Sequence, residues 1–459
     1  MNIPTIFQKQ KEYFNTNETK NVKFRIAQLK KLKQVLKKNE ALMYEAIYKD
    51  FSKSEFETYA TELGIVYHEI DTFIKHIRTW SRKKRVGTDL ANFPGRSYII
   101  PEPLGVCLVI GAWNYPYQIS LLPAITALAA GNTVILKPSE LPSQTSKMMA
   151  QMINSNFPAE YFRVVVGEVS VTTQLLDLNF DKIFFTGSTQ VGKIVYQAAA
   201  KHLTPVTLEL GGKSPTFVLA DADLKMAAKR IAWSKFLNAG QTCVAPDYIL
   251  VEKSIEDKFL SILKTEIENN YSQEKVEENY LQIINDAHFD RLNRLLEVAS
   301  DAGCVFYGGN TDKSNRFISP TLIHNNSFKD EIMQDEIFGP LLPIISFRQL
   351  DDIIQKVKDR PKPLSCYIYG KDRKNINKIL KELSFGGGCI NDSVMHFTNS
   401  KLPFGGVGSS GMGSYHGRSG FNTFSNMKSI LDKPVWLETS LKYAPYKSWK
   451  FKIVRWLLG

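Results

Sequence analysis

The chain has 459 residues, 43% apolar and 23% charged, and its 58 Lys plus Arg against 46 Asp plus Glu leave a formal charge of +12. These proportions exclude a disordered, collagen-like or coiled-coil chain. At about 150 residues per domain the length predicts two or three domains, whose cores need no disulfide or structural metal.

No apolar run approaches the roughly 18 residues that span a bilayer, and the start Met1-Asn2-Ile3-Pro4 lacks the charged-then-apolar order of a signal peptide. A cytoplasmic protein is expected. The five cysteines, Cys107, Cys243, Cys304, Cys366 and Cys389, are scattered without a C-x-x-C, so neither a disulfide framework nor a zinc site is encoded. The seven histidines form no metal-spaced pair, and no metal is expected.

Over 22–80 apolar residues recur at three and four, which predicts two long amphipathic helices. Lys30, Lys31, Lys33, Lys37 and Lys38 form a solvated face there, and no aromatics interleave with them, so nucleic acid is not an expected partner. Arg82-Lys83-Lys84-Arg85 mark the exit from this layer. Short apolar runs at 106–110, 133–136, 163–166 and 182–185 then alternate with helical stretches, as in a parallel, doubly wound sheet. Runs at 216–219, 248–251 and 342–345 predict a second α/β domain. Gly386-Gly387-Gly388 and the stretch 404–420 read as ordered loops near a site, because Phe, Val, Met and Tyr are interleaved with the glycines of the second.

The run 182–185 leads straight into Thr186, Gly187, Ser188, Thr189, Gln190, Val191 and Gly192, and then a helical stretch. Strand, glycine turn and helix make an anion site, through exposed N–H groups and the positive helix end. The G-x-x-x-x-G spacing matches neither the dinucleotide fingerprint nor the P-loop, and an N-capped helix after a buried strand fits it equally well. Lys137 and Glu140 follow the run 133–136, and Trp113 and Asn114 follow 106–110, so three strand ends carry polar residues where ligands sit in such sheets. Lys137 suits ribose hydroxyls or phosphate; the Glu140 carboxylate accepts from ribose hydroxyls and repels a 2′-phosphate.

Cys243 lies between Gly240 and Pro246, in a shaped turn rather than on a helix face. A buried structural thiol is the ordinary alternative. Glu209 stands between Leu208 and Leu210 before Gly211-Gly212, a costly place for a carboxylate without a partner or a task. A thiol nucleophile needs a base and an oxyanion donor, and Cys243, Glu209 and Asn114 supply all three.

Taken together, Leu208-Glu209-Leu210-Gly211-Gly212-Lys213-Ser214-Pro215, Gly240-Gln241-Thr242-Cys243, Glu336-Ile337-Phe338-Gly339-Pro340 and Ala112-Trp113-Asn114-Tyr115-Pro116 resemble the aldehyde dehydrogenase superfamily, in order and over nearly the whole chain. The start close to the first helix and the stretch 394–417 (VMHFTNSKLPFGGVGSSGMGSYHG) resemble its class 3, fatty-aldehyde branch. The resemblance implies that Cys243 attacks an aldehyde carbonyl, that Asn114 and the Cys243 N–H hold the oxyanion, and that hydride passes to NAD, with NADP also admitted. It implies that Glu209 activates the water that hydrolyses the thioester, that Glu336 holds the nicotinamide-side ribose, and that Phe338 packs near the ring. Gly187, Ser188, Thr189, Gln190, Val191 and Gly192, with Trp113, would meet the pyrophosphate; Lys137 and Glu140 would meet the adenosine ribose. Asp335 stands where a Glu commonly precedes Glu336.

The implied fold has an NAD-binding domain over 1–82 and 105–208 and a catalytic domain over 209–393. A small β oligomerisation extension over 83–104 and 394–432 pairs subunits as a homodimer, and a tail runs over 433–459. The implied substrate is an apolar aldehyde, long-chain fatty or terminal carotenoid such as 4,4′-diaponeurosporenal. Rival readings are a CoA-acylating dehydrogenase, which the presence of Glu209 opposes, and a non-catalytic, membrane-associated binding protein. In the tail, Tyr446, Trp449, Ile453, Trp456 and Leu457 form one helical stripe. It fits an interfacial membrane helix and equally a helix docked on the protein's own surface or on a partner subunit.

Overall fold

The computed structural model describes residues 2–271 and 280–458, and the side chains of Leu457 and Leu458 lie outside that description. The helical layer expected over 22–80 is present but is not two helices. Val22–Lys38 and Glu40–Phe51 are separated at Asn39, and Ser52 ends the second in the left-handed region (φ 56°). After a short helix Glu55–Thr58 comes a π turn, Tyr59–Leu63, and then Gly64–Trp80. Apolar faces of the three longer helices and of the π turn enter a single core, so hydrophobic periodicity continues across breaks that backbone conformation decides.

A six-stranded sheet has the order Gly411–Met412, Val206–Glu209, Lys182–Thr186, Val106–Ile110, Thr133–Lys137, Phe162–Val164, with only the first strand antiparallel. Its strands are apolar on both faces because both faces are covered. Cys107, Val109, Val134, Leu136 and Phe184 join the main core, while Val106, Leu108, Ile110, Ile135, Ile183 and Phe185 pack with Ile3, Ile6 and Phe7 of the first helix, Ile3–Asn15.

The second sheet has seven strands: Val305–Tyr307, Thr321–Ile323, Leu341–Phe347, Tyr248–Glu252, Pro215–Val218, Ser365–Tyr369 and Gly387–Ile390. All pairs but the first are parallel. Its inner face shares the main core with the first sheet; its outer face packs under Leu224–Phe236 and Glu256–Asn270. Gly387 and Gly388, expected in a loop, form the edge strand instead. The glycines serve close packing there, since a Cβ on Gly388 would come 1.9 Å from the Cys366 carbonyl oxygen. The stretch 404–420 is ordered, as expected, and contributes the strand Gly411–Met412 and the start of the helix Gly417–Thr423.

A third, antiparallel sheet of Lys84–Val86, Arg96–Pro103 and Ser425–Asp432 is mostly exposed. No helix among the described residues is long and apolar enough to cross a membrane, and no group of three or more His, Cys, Asp or Glu among them is placed to hold a metal.

Candidate active site

Lys137, Thr186 and Glu209 are the last residues of three parallel strands, so the sheet brings them to one edge. Beyond Thr186 the chain turns at Gly187, and Ser188 caps the helix Thr189–Ala200 by accepting the Val191 N–H at 3.3 Å. Thr189 Oγ1 donates to the Ser409 carbonyl at 3.0 Å, which ties the turn to the 404–420 stretch. The helix start leaves N–H groups without intrahelical partners, and the Thr186 hydroxyl is buried with none. This unsatisfied, positively polarised edge fits the phosphates of a dinucleotide.

Glu209 is buried and both of its carboxylate oxygens lack a hydrogen-bond partner. Burial alone pushes its pKa well above the ordinary carboxylate range, which makes the ionised carboxylate a stronger base. The cost foreseen from its apolar neighbours is therefore present in the fold.

The thiol turn is built from consecutive left-handed residues, Asn238 (φ 55°), Ala239 (φ 51°) and Gly240 (φ 71°). A side chain at Gly240 would lie 2.3 Å from the Gly339 carbonyl oxygen, so this glycine admits the Glu336 loop against the turn. The Gln241 side chain locks the turn, donating to the Asn238 and Gln282 carbonyls (3.2 and 3.1 Å) and accepting the Ile284 N–H (3.1 Å). Tyr367 donates its hydroxyl to the Val244 carbonyl at 2.5 Å. Cys243 is half-buried, and its thiol is pushed up to about 12 by burial and by the Glu336 and Glu209 carboxylates. Asn114 reaches the turn from the other sheet: its Nδ2 donates to the Gln241 carbonyl at 3.0 Å, beside Thr242 and Cys243.

Trp113 and Phe338 meet edge to face at 5.2 Å, with Phe338 in the left-handed region (φ 51°). Glu336 presses on the glycine pair, so that a Cβ on Gly211 would fall 1.9 Å from its Oε2. Burial, and then Asp247, push its carboxyl up to about 8. Asp247 accepts from Lys213 Nζ (2.5 Å) and from the Ile337 N–H (2.9 Å), and Arg291 donates to the Ile337 carbonyl (2.7 Å), which fixes the loop. Lys137, buried, pairs with the more exposed Glu140 at 2.6 Å.

Residues 1–430 match the sequence pattern of the aldehyde dehydrogenase family. The chain belongs to that family. It is 46% identical over 450 residues to the 4,4′-diaponeurosporen-aldehyde dehydrogenase of Staphylococcus aureus (strain NCTC 8325 / PS 47), covering 98% of this chain and 97% of that protein. It is 44% identical over 441 residues to the dimeric NADP-preferring aldehyde dehydrogenase of Rattus norvegicus, covering 96% of each. A solved structure of Staphylococcus aureus AldH in a substrate-bound state superposes with a TM-score of 0.97 at 46% identity and covers 100% of both chains. The protein is therefore an aldehyde dehydrogenase, an oxidoreductase that uses NAD or NADP.

In this aldehyde dehydrogenase the residues singled out in the sequence converge on two places, the strand edge and the thiol turn. Sequence reading missed several neighbours. Phe51 stacks on Trp113 at 6.5 Å and His288 tilts against it at 5.1 Å. Asn238 and Gln241 carry the bonds of the turn, and Tyr115 meets Thr242 Oγ1 at 2.7 Å. Asn238 and Gln241 were open to discovery through their closeness to Cys243, and Tyr115 through its place beside Asn114; Phe51 and His288 arrive over long sequence separations. His396 and His416 are buried, with pKa values lowered to about 4 and about 3 by burial, so both are neutral at pH 7.

The tail forms the helix Ser448–Leu458. Lys450, not the aromatic stripe, faces the protein and donates to the Tyr443 carbonyl at 2.8 Å, while Trp449 and Trp456 are 47% and 78% exposed. The lysine stem packs while its ammonium satisfies a carbonyl, and among the described residues of the stripe Tyr446, Trp449, Ile453 and Trp456 remain exposed.

Proposed function

We propose that this aldehyde dehydrogenase oxidises a long, apolar aldehyde to its carboxylic acid, with Cys243 as nucleophile, Glu209 as base and Asn114 as oxyanion donor. The observation that carries the reading is Glu209: a buried carboxylate with two unpartnered oxygens, lying close enough to Cys243 to raise its thiol. Such a group has a task rather than a structural partner.

Cys243 loses its thiol proton to solvent, its Sγ adds to the carbonyl carbon, and the second N–H of the Asn114 amide and the Cys243 backbone N–H hold the oxyanion. A bound nicotinamide supplies the acceptor for the hydride that leaves the tetrahedral carbon. Glu209 then takes a proton from the water that cleaves the thioester, releasing acid and thiol. Glu336 holds the nearer ribose, Phe338 and Trp113 wall the ring and pyrophosphate, and Ser188, Thr189, Gln190, Val191 and Gly192 with Gly187 present the phosphate-binding turn. Lys137 and Glu140 take the adenosine ribose. Because the Glu140 carboxylate opposes a 2′-phosphate and Lys137 is already paired to it, NAD is the preferred cofactor and NADP a slower one.

In the proposed division the six-stranded sheet binds cofactor, the seven-stranded sheet carries the thiol, and the exposed three-stranded sheet pairs subunits in a homodimer. Trp436, Tyr446, Trp449, Phe451 and Trp456 are exposed beside Lys447, Lys452 and Arg455. This surface suits a cytoplasmic enzyme that touches an anionic membrane or covers a partner's substrate entrance. Its substrate is a fatty aldehyde or a terminal carotenoid aldehyde, of the kind named for the staphylococcal relative.

A chain-length series of aldehydes followed by cofactor reduction tests this reading. At about 0.8 kcal/mol per buried methylene, kcat/KM rises by up to about fourfold per CH2 until the pocket is filled. Free acid forms without CoA; a product that appears only with CoA would favour the acylating rival.

A further inference from the structure

Three charged side chains lie within ten residues of one another beneath the thiol turn, and no step of the reaction uses them. Lys53 and Glu62 are both fully buried and paired at 2.8 Å. Glu57, half-buried, accepts the Asn238 N–H on Oε1 at 3.1 Å. Burying such charges is costly, and an apolar trio of similar volume would fill the space more cheaply. An apolar trio would not supply directional bonds, and among the described residues the backbone N–H groups that the Glu57 and Glu62 carboxylates accept belong to two turns.

The first is the turn that carries Asn114. Glu62 Oε2 accepts the N–H groups of Tyr117 (2.8 Å) and Gln118 (3.3 Å) at the start of the helix Gln118–Ala130, where a carboxylate is favoured. Lys53 Nζ sits 4.4 Å from the centroid of the Tyr115 ring, a cation–π contact. Tyr115 in turn bonds Thr242 Oγ1 at 2.7 Å, one residue before the thiol.

The second is the thiol turn itself. Glu57 holds the N–H of Asn238 in its left-handed conformation. Asn238 Nδ2 then donates to the Asn114 carbonyl (3.0 Å) and to the Gln241 carbonyl (3.1 Å). That same Gln241 carbonyl accepts one N–H of the Asn114 amide, which leaves the other to be aimed.

The local backbone explains how one segment reaches both turns. Glu57 and Glu62 are five residues apart and would stand about 140° apart on an α-helix. The π turn Tyr59–Leu63 closes a turn with five residues rather than four and brings both acids toward the site, while Phe56 and Tyr59 remain outside.

We infer that Lys53, Glu57 and Glu62 are positioning residues that set the spacing between the Asn114 amide and the Cys243 N–H, and so the geometry of the oxyanion site. This rests on the roles proposed above for Cys243 and Asn114.

The test is the rate of the first turnover, read as the burst of reduced cofactor at saturating aldehyde, in the full-length enzyme. Glu57→Ala lowers that rate about tenfold, because small misplacements of a reacting constellation are costly, while cofactor affinity and aldehyde KM change little. Glu57→Gln keeps an acceptor for the Asn238 N–H and restores most of the rate. In an Asn114→Ala background, Glu57→Ala costs less than about threefold more, since the group it positions is gone. A purely structural role would lower Tm and leave the burst rate of the folded enzyme unchanged, which would overturn the inference; so would full additivity with Asn114→Ala. The double variant Lys53→Met, Glu62→Leu tests the buried pair by the same readout, and if it does not fold the Glu57 series still decides. An Asn114→Ala enzyme with an intact burst would overturn the oxyanion reading itself. A slow Asn114→Ala beside an unimpaired Glu57→Ala would overturn only the positioning role.

Discussion

Gly187 donates its N–H to the carbonyl of Glu209 at 3.0 Å, continuing the register in which Thr186 pairs with Glu209 across neighbouring parallel strands. The turn that suits a phosphate and the carboxylate proposed as base are thus joined by one backbone hydrogen bond. A rigid sheet edge, rather than a loop, sets the distance between cofactor and base.

Cys243→Ser abolishes aldehyde oxidation and leaves cofactor binding intact, because the phosphate turn, Lys137 and Glu140 belong to the other sheet and the change leaves Glu336 and Phe338 in place. Fluorescence titration with the reduced cofactor and a turnover assay check both halves. Substantial remaining turnover would remove Cys243 as nucleophile.

Glu209→Gln retains a burst of reduced cofactor while steady turnover falls by about two orders of magnitude or more, the usual weight of a general base. Equal loss of burst and turnover would place Glu209 in acylation instead. Stability moves the opposite way. Burial raises the folded-state pKa of Glu209, so at a pH above its unfolded value the unfolded chain releases a proton that the folded chain keeps, and folding is penalised. Thermal melts therefore show Glu209→Gln gaining Tm over the wild type at pH 8 and little at pH 4.

Without cofactor, the Cys243 thiol is held up to about 12 by burial and by Glu336 and Glu209, and alkylation by iodoacetamide is slow at pH 7. Removing one carboxylate lowers the thiol pKa. Glu336 carries its proton below about 8, so Glu336→Gln accelerates alkylation at pH 9 and has little effect at pH 6. An acceleration of the same size at both values would show that the charge of Glu336 is not the cause.

Glu140→Gln shifts cofactor choice toward NADP, since it removes the carboxylate that opposes a 2′-phosphate and frees Lys137, now paired at 2.6 Å. The ratio of kcat/KM for the two cofactors is the measurement. A wild type that already prefers NADP would refute the expected order.

Truncation after Tyr446 removes the helix Ser448–Leu458 with its exposed Trp449 and Trp456. The expected result is a loss in kcat/KM for long aldehydes that greatly exceeds the loss for short ones. Equal losses would reduce the tail to packing, and unchanged binding to anionic vesicles would exclude the membrane role.

The sequence by itself determined four strands of the six-stranded sheet, three of the seven-stranded one, and the reactive residue types. Parallel strands covered on both faces read as unbroken apolar runs, as at Val106–Ile110, and Glu209 and Cys243 each sit in a local pattern that is costly or shaped without a function. It could not separate the helices at Asn39 and Ser52 or recognise Gly387–Ile390 as a strand, because one turns on backbone dihedrals and the other on the approach of Cys366. Only the tertiary structure decided that Asn114 meets Gln241 across 127 positions, that Phe51 and His288 flank Trp113, and that Lys450 rather than Trp449 faces the protein. Spacing along the chain carries the period of one element and the chemistry of one turn. Contacts between elements are set by how two sheets share a core, and no local pattern encodes that distance.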